Sequence, residues 1–207
     1  MDKKKFKQLP VMGIIRGLPV DRAAGFAGCV VSSGLKTLEV TMNTDSAGEV
    51  LKIIKKTAGE KLMLGAGTVL TVDDLKEALD CGAGFIVLPT LVKEVVEQCV
   101  KKNVPVFPGA LSPQEIHQAW LAGATMVKVF PAKFFGPTYF KEIKGPFNEI
   151  ELLACGGVNA GNIKEFFSCG ASAAAFGGSI FRKDLIESEN FGAIERSIKE
   201  LIAASRL

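Results

Sequence analysis

The chain has 207 residues, ordinary apolar and charged fractions, and a net charge of +3 from 25 basic and 22 acidic residues. That length suits one domain with a sizeable core, read here as residues 1–207. The even balance of charge gives no hint of a nucleic-acid surface, and no stretch approaches the ~20 apolar residues of a membrane span.

From the N-terminus, Lys3-Lys4-Lys5 reads as a solvated tail or first turn, and Val11–Ile15 is too short for the apolar part of a secretory leader. Eight apolar runs follow: Val11–Arg16, Lys36–Thr41, Leu62–Ala66, Phe85–Pro89, Val104–Phe107, Met126–Phe130, Ile150–Ala154 and Ala173–Phe176. Their centres recur roughly every 20 to 26 residues, room for a strand, a helix and two short loops. Between them lie helical patterns such as Val92-Val95-Val96-Cys99-Val100. Thr71-Val72-Asp73-Asp74 and Ser112-Pro113 mark helix starts, and Gly34, Gly82, Gly123 and Gly170 mark helix ends.

Eight β-α repeats with near-continuous apolar strands predict an α/β fold, a single-domain (β/α)8 TIM barrel near the short end of its size range. An open doubly wound sheet is the alternative. It lacks the Gly-x-Gly-x-x-Gly expected after the first strand. Cys29, Cys81, Cys99, Cys155 and Cys169 show no Cys-x-x-Cys spacing, and their odd number speaks against a disulfide framework. With His117 the single histidine, a zinc site has few ligands to draw on. The expectation is a cytoplasmic protein with reduced, packed thiols.

The chemistry-bearing residue is Lys128, inside the apolar run Met126-Val127-Lys128-Val129-Phe130. Burial disfavours an ammonium, and a neutral amine in a dry pocket attacks carbonyls. Taken alone, the strand favours the plainer reading, a structural ion pair with a buried carboxylate. Side chains alternate along a strand. If Leu38, Val40, Val127 and Val129 face the helices, then Glu39 and Lys128 face the lumen. The second and sixth strands of an eight-stranded barrel lie opposite each other, so carboxylate and amine can meet near the mouth where barrel active sites sit.

The mouth also carries glycine. Cys155-Gly156-Gly157-Val158-Asn159 ends the seventh run and Phe176-Gly177-Gly178-Ser179 the eighth, the usual place of a phosphate cradle formed with a helix N-terminus. Gly65-Ala66-Gly67-Thr68 adds a hydroxyl at the same end, and Arg16 is a candidate anion partner or rim salt bridge.

Leu38-Glu39-Val40-Thr41, Gly65-Ala66-Gly67-Thr68-Val69, Val127-Lys128-Val129-Phe130-Pro131-Ala132, Gly156-Gly157 and Gly177-Gly178-Ser179 occur in that order. The set resembles the 2-keto-3-deoxy-6-phosphogluconate aldolase family, whose pattern the 4-hydroxy-2-oxoglutarate and 2-keto-3-deoxy-6-phosphogalactonate aldolases share. The resemblance covers nearly the whole chain. It implies a class I aldolase, a lyase without metal or other cofactor, usually a homotrimer. Its substrate would be 2-keto-3-deoxy-6-phosphogluconate, cleaved to pyruvate and glyceraldehyde 3-phosphate, with 4-hydroxy-2-oxoglutarate as a further substrate.

By the same resemblance Lys128 matches the Schiff-base lysine, Glu39 the general acid/base, and Thr68 the hydroxyl that holds the pyruvate carboxylate. Gly156, Gly157, Gly177, Gly178 and Ser179 match the phosphate site, and Pro89 and Phe130 line the pocket. Asn43 stands where phosphogluconate members commonly carry arginine. Together with Arg16-Gly17 and Phe135-Gly136-Pro137, it looks more like the phosphogalactonate enzymes, which leaves the C4 epimer open. Two rival readings remain: a phosphate-binding barrel isomerase or epimerase that needs no Lys128, and a silent binding module.

Overall fold

The computed structural model describes residues 1–206. Its strands are β1 (Val11–Ile15), β2 (Thr37–Thr41), β3 (Met63–Gly67), β4 (Ile86–Val87), β5 (Val106–Phe107), β6 (Gly109–Ala110), β7 (Val127–Val129), β8 (Leu152–Cys155) and β9 (Ala173–Phe176). The helices are α1 (Lys3–Gln8), α2 (Ala23–Ser32), α3 (Ala47–Ala58), α4 (Val72–Asp80), α5 (Lys93–Lys101), α6 (Pro113–Leu121), α7 (Gly136–Lys144), α8 (Ile163–Ser168), α9 (Lys183–Glu187) and α10 (Phe191–Ser205).

Every strand pairing is parallel, and the sheet order runs β5-β4-β3-β2-β1-β9-β8-β7-β6. The two ends of that order are one continuous piece of chain. β5 pairs with β4 and β6 pairs with β7, and only Pro108 separates them. Its carbonyl still accepts from Lys128 N–H at 2.9 Å, while Thr125 N–H reaches Val106 and Leu88 N–H reaches Phe107. The segment therefore bonds to neighbours on both sides, and the ring closes as a (β/α)8 barrel with β7 in the sixth position. The fifth strand runs further than the Val104–Phe107 expected for it, because a proline in mid-strand hides the continuation to Ala110.

The strands bury both faces, as parallel strands under helices do. Outward residues such as Leu38, Val40, Val127, Val129, Leu152 and Ala154 pack against the helices in one large core. Inward residues form a second cluster of Met12, Phe85, Val87, Phe107, Met126, Leu153, Cys155, Ala173 and Ala175. Phe6 of α1 joins this cluster, with its ring centroid 6.1 Å from that of Phe107 in an edge contact. The basic N-terminus is thus a helix that floors the barrel, and the Met1 amino group anchors it by donating to the Gly84 carbonyl at 3.0 Å.

The local signals act as their chemistry requires. Thr71 caps α4 in a reciprocal box with Asp74, and Ser112 caps α6 in the same way with Glu115. Gly34, Gly82, Gly123 and Gly170 take φ between +85° and +100° just past their helices. Among the described residues, no helix is long and apolar enough to cross a membrane, and no group of three metal-ligating side chains occurs.

Candidate active site

The register of β2 and β7 decides which side chains enter the lumen. Leu38 and Val40 face the helical layer, so Thr37, Glu39 and Thr41 face inward. The same alternation sends Val127 and Val129 outward and Lys128 inward. Glu39 is 1% exposed and Lys128 6%, so both functional groups are withdrawn from solvent. Neither Glu39 carboxylate oxygen has a hydrogen-bond partner among the described residues. Buried polar atoms are rarely left in that state.

Burial pushes the Glu39 carboxyl above its ordinary range, and the charges of Lys128 and Arg16 oppose the shift. Amine and carboxylate therefore share one lumen and sense each other without a bond between them. The unfilled hydrogen-bonding capacity of Glu39 faces space that a substrate or water can occupy. Lys128 Nζ lies 5.2 Å from the centroid of the Phe130 ring, which is 37% exposed and forms a wall at the mouth.

The position of Glu39 depends on the absence of a side chain opposite. A Cβ built on Gly67 would fall 1.5 Å from Glu39 Oε1. The next residue, Thr68, sits at φ +54°. That left-handed conformation is a genuine outlier for a β-branched residue and carries strain of about 1–3 kcal/mol. It turns the chain sharply at the end of β3, at the mouth where the sequence places this hydroxyl.

Arg16 follows β1 and is exposed, yet close enough to act on both Glu39 and Cys155. Its loop is tied to the β2 loop. Gly17 N–H donates to Thr44 Oγ1 at 3.0 Å, and Thr44 Oγ1 lies 3.1 Å from Thr41 Oγ1. Thr41 and Thr44 are buried, whereas Asn43 between them faces solvent in the turn. Pro89, half-buried, follows β4, and its carbonyl approaches Gly109 so closely that a Cβ there would lie 2.1 Å from it.

The glycine-rich ends of β8 and β9 lie together, joined by a hydrogen bond from Ser179 Oγ to the Val158 carbonyl at 3.2 Å. Gly156 and Gly157 take φ +95° and +84°. Among the described residues, the N–H groups of Gly156, Gly157, Gly178 and Ser179 donate to no protein acceptor. Gly177 keeps its backbone close to β1, since a Cβ there would come within 3.1 Å of the Ile14 carbonyl. The cradle is built from loop amides. The helices α8 and α9 begin several residues further on, at Ile163 and Lys183, so a helix N-terminus is not what presents the N–H groups.

Cys155, expected from the sequence as a packed thiol, also lines the lumen. It shares the inward face of β8 with Leu153, and burial pushes its thiol up while Lys128 pulls it down. The alternation Leu153-Ala154-Cys155 carried the signal. The Thr41–Thr44–Gly17 tie and the contact of Gly67 with Glu39 had no sequence signal, because each joins segments distant in the chain.

A closed barrel that buries an amine and an unpartnered carboxylate in its lumen, below loops of unpaired amides, is built as an enzyme. Its class is that of the aldolases, which are lyases, as the named relatives establish. The chain is 31% identical over 176 residues, 84% of its length and 86% of the relative's, to the 2-dehydro-3-deoxy-6-phosphogalactonate aldolase of Escherichia coli K12. It is 30% identical over 201 residues, 96% of its length and 94% of the relative's, to the 2-dehydro-3-deoxy-phosphogluconate aldolase of Haemophilus influenzae. A family model described as KDPG and KHG aldolase matches residues 3–197, and the chain belongs to that family. Among solved structures, the Legionella pneumophila KDPG aldolase with pyruvate captured as a covalent carbinolamine superposes with a TM-score of 0.87 at 26% identity. That match covers 95% of each chain.

Proposed function

We propose that this chain is a class I aldolase that cleaves 2-keto-3-deoxy-6-phosphogluconate to pyruvate and glyceraldehyde 3-phosphate through a Schiff base on Lys128. The observation that carries the reading is the buried Lys128 amine sharing the lumen with a buried Glu39 whose two oxygens are unpartnered. The Lys128 amine attacks the C2 ketone to form a carbinolamine, its proton passing to the former ketone oxygen by way of Glu39. Glu39, with its raised carboxyl, delivers the proton that lets water leave and takes protons back in later steps.

The resulting iminium accepts the electron pair of the C3–C4 bond as the C4 hydroxyl loses its proton. The aldehyde departs, and the enamine left on Lys128 is protonated at C3. Water then returns to C2 and releases pyruvate. Thr68 and Arg16 suit the pyruvate carboxylate. The unpaired amides of Gly156, Gly157, Gly178 and Ser179, with Gly177 holding the second loop against β1, suit the phosphate. 4-Hydroxy-2-oxoglutarate, split to pyruvate and glyoxylate, is the further substrate of the same centre.

Asn43 favours a second reading, the galactonate epimer. It gives the β2 loop a neutral amide at the mouth, where phosphogluconate members commonly carry arginine. For the assembly we infer a homotrimer, in keeping with the family resemblance. The setting inferred is the cytoplasm, where thiols such as Cys155 stay reduced.

Borohydride reduction in the presence of pyruvate, followed by peptide mass mapping, tests the chemistry. The expected result is a pyruvyl adduct on Lys128, lost in Lys128→Ala. Folded protein that forms no adduct would turn the assignment toward an isomerase or a binding barrel. Assay of both epimers then selects between the two sugar acids.

A further inference from the structure

Next to the glycine cradle stands a cation outside the set of residues assigned to substrate so far. Lys133 lies in the 3-10 turn Ala132–Phe134 that follows β7. Its side-chain stem rests on Gly157. A Cβ built at Gly157 would fall 2.6 Å from Lys133 Cβ and 3.7 Å from Lys133 Cδ. So Gly157 has two reasons to be glycine: its φ of +84°, and the lysine stem packed where a side chain would go.

The ammonium itself is not used up by the protein. Lys133 is exposed, and among the described residues no carboxylate stands within ion-pair distance of it. Its one close partner is the face of Phe134, 5.1 Å from Nζ to the ring centroid. Such a contact at an exposed site is weak and easily exchanged.

The amides around the cradle supply direction but no net charge. Of the other cations at the mouth, Arg16 acts on Glu39 and Cys155, at the keto-acid end of the lumen. A phosphomonoester seated on Gly156, Gly157, Gly178 and Ser179 would otherwise be neutralised by backbone dipoles alone.

We propose that Lys133 is the charge-matching residue of the phosphate cradle, so that this barrel selects substrates ending in a dianionic phosphomonoester over the same keto acids without phosphate. The proposal rests on the aldolase reading above and deepens it. The lysine swings off Phe134 to the phosphate, to which it gives a charge-assisted hydrogen bond. Its packed stem limits the search, so little side-chain freedom is lost on binding.

The test compares wild type, Lys133→Met and Lys133→Arg on the phosphorylated sugar acid and on its unphosphorylated counterpart. Methionine keeps the apolar stem over Gly157 and removes the charge. The ratio of kcat/KM between the two substrates should fall about tenfold in Lys133→Met, carried by KM and not by kcat, and recover in Lys133→Arg. That factor is what a charge-assisted hydrogen bond at a partly exposed site provides. Inhibition by inorganic phosphate should weaken by a similar factor.

An unchanged ratio in Lys133→Met, with wild type active, overturns the role given to Lys133 and leaves the aldolase reading standing. A loss equal for both substrates overturns it as well, since that marks a structural effect. Wild-type protein that forms no pyruvyl adduct and cleaves neither compound overturns the aldolase reading, and the role of Lys133 with it.

Discussion

Replacing Gly67 by alanine should disable Glu39 without touching it chemically. The added Cβ would lie 1.5 Å from Glu39 Oε1, 2.2 Å from Cδ and 2.6 Å from Cγ. Ordinary contact between such atoms needs about 3.5 Å, so the carboxylate must retreat by roughly 2 Å. The backbone is poorly placed to yield instead. Gly67 pairs with Thr41 in the β2–β3 ladder, and its carbonyl accepts from Met42 N–H at 2.7 Å. A misplacement of about 1 Å in a reacting group can cost on the order of 10²-fold in rate. The expected loss in kcat is therefore about 10²-fold or more, close to 2.7 kcal/mol of transition-state stabilisation. It is bounded by the ~10²–10⁴-fold that general acid–base catalysis contributes.

The assay is retro-aldol turnover, read by pyruvate release, for Gly67→Ala, Glu39→Ala and the double variant. Thermal melting and borohydride trapping on Lys128 serve as controls for folding and amine access. If Gly67 acts through Glu39, the double variant is no slower than Glu39→Ala, because the displaced group is already gone. Turnover by Gly67→Ala within about threefold of wild type would refute the reasoning, since a factor that small is far below the ~10²-fold expected of a misplaced group. A further large loss on adding Gly67→Ala to Glu39→Ala would refute it too.

Two other outcomes follow from the same lumen. Burial raises the Glu39 carboxyl above the ordinary carboxyl range, so between the ordinary value and the raised folded one the native state holds more protons than the unfolded one. Stability attributable to this group is thus lost as pH rises through that window. Glu39→Gln should melt higher than wild type at pH 7 but not at pH 4, and a gain of about 1 kcal/mol would read as roughly 2–4 °C. Equal melting at both pH values would contradict the buried, unpartnered carboxylate. Thr44→Val removes the acceptor for Gly17 N–H and frees the loop that carries Arg16. KM for the keto acid should rise several-fold, with kcat less affected and Thr44→Ser restoring binding. A fall in kcat at constant KM would argue against positioning.

Much of the architecture could be read in the chain because it is written in local patterns. Two-residue alternation sent Leu38 and Val40 one way and Glu39 the other, and the same rule brought Lys128 into the same lumen. Glycines past helix ends and capping residues at helix starts needed no tertiary knowledge. What escaped notice depends on segments far apart in sequence. Pro108 conceals a continuing strand because it lacks an N–H, although its carbonyl still serves the ladder. Gly67 is small because Glu39 occupies the space, Gly157 because Lys133 does, and Thr44 is buried because Gly17 needs an acceptor. Thr68 in a left-handed turn runs against its own residue type, and no local rule for threonine anticipates it. Such conflicts between local preference and observed geometry gather at the mouth, where function competes with stability.

The aromatic floor has a consequence for traffic. With Phe6 stacked edge-on to Phe107 and Phe107 to Phe85, the lumen is a cul-de-sac. Every molecule that reaches Lys128 arrives and leaves through the one opening at the glycine-rich rim. On the Schiff-base reading proposed above, the fragment held by phosphate would lie nearest that opening, with the fragment bonded to the lysine behind it. Release would then be a queue with a fixed order: the aldehyde first, with pyruvate unable to overtake it. In the reverse direction pyruvate would have to be seated before the aldehyde closes the passage. A barrel stoppered at one end would thus impose an ordered kinetic sequence on that reaction by its shape.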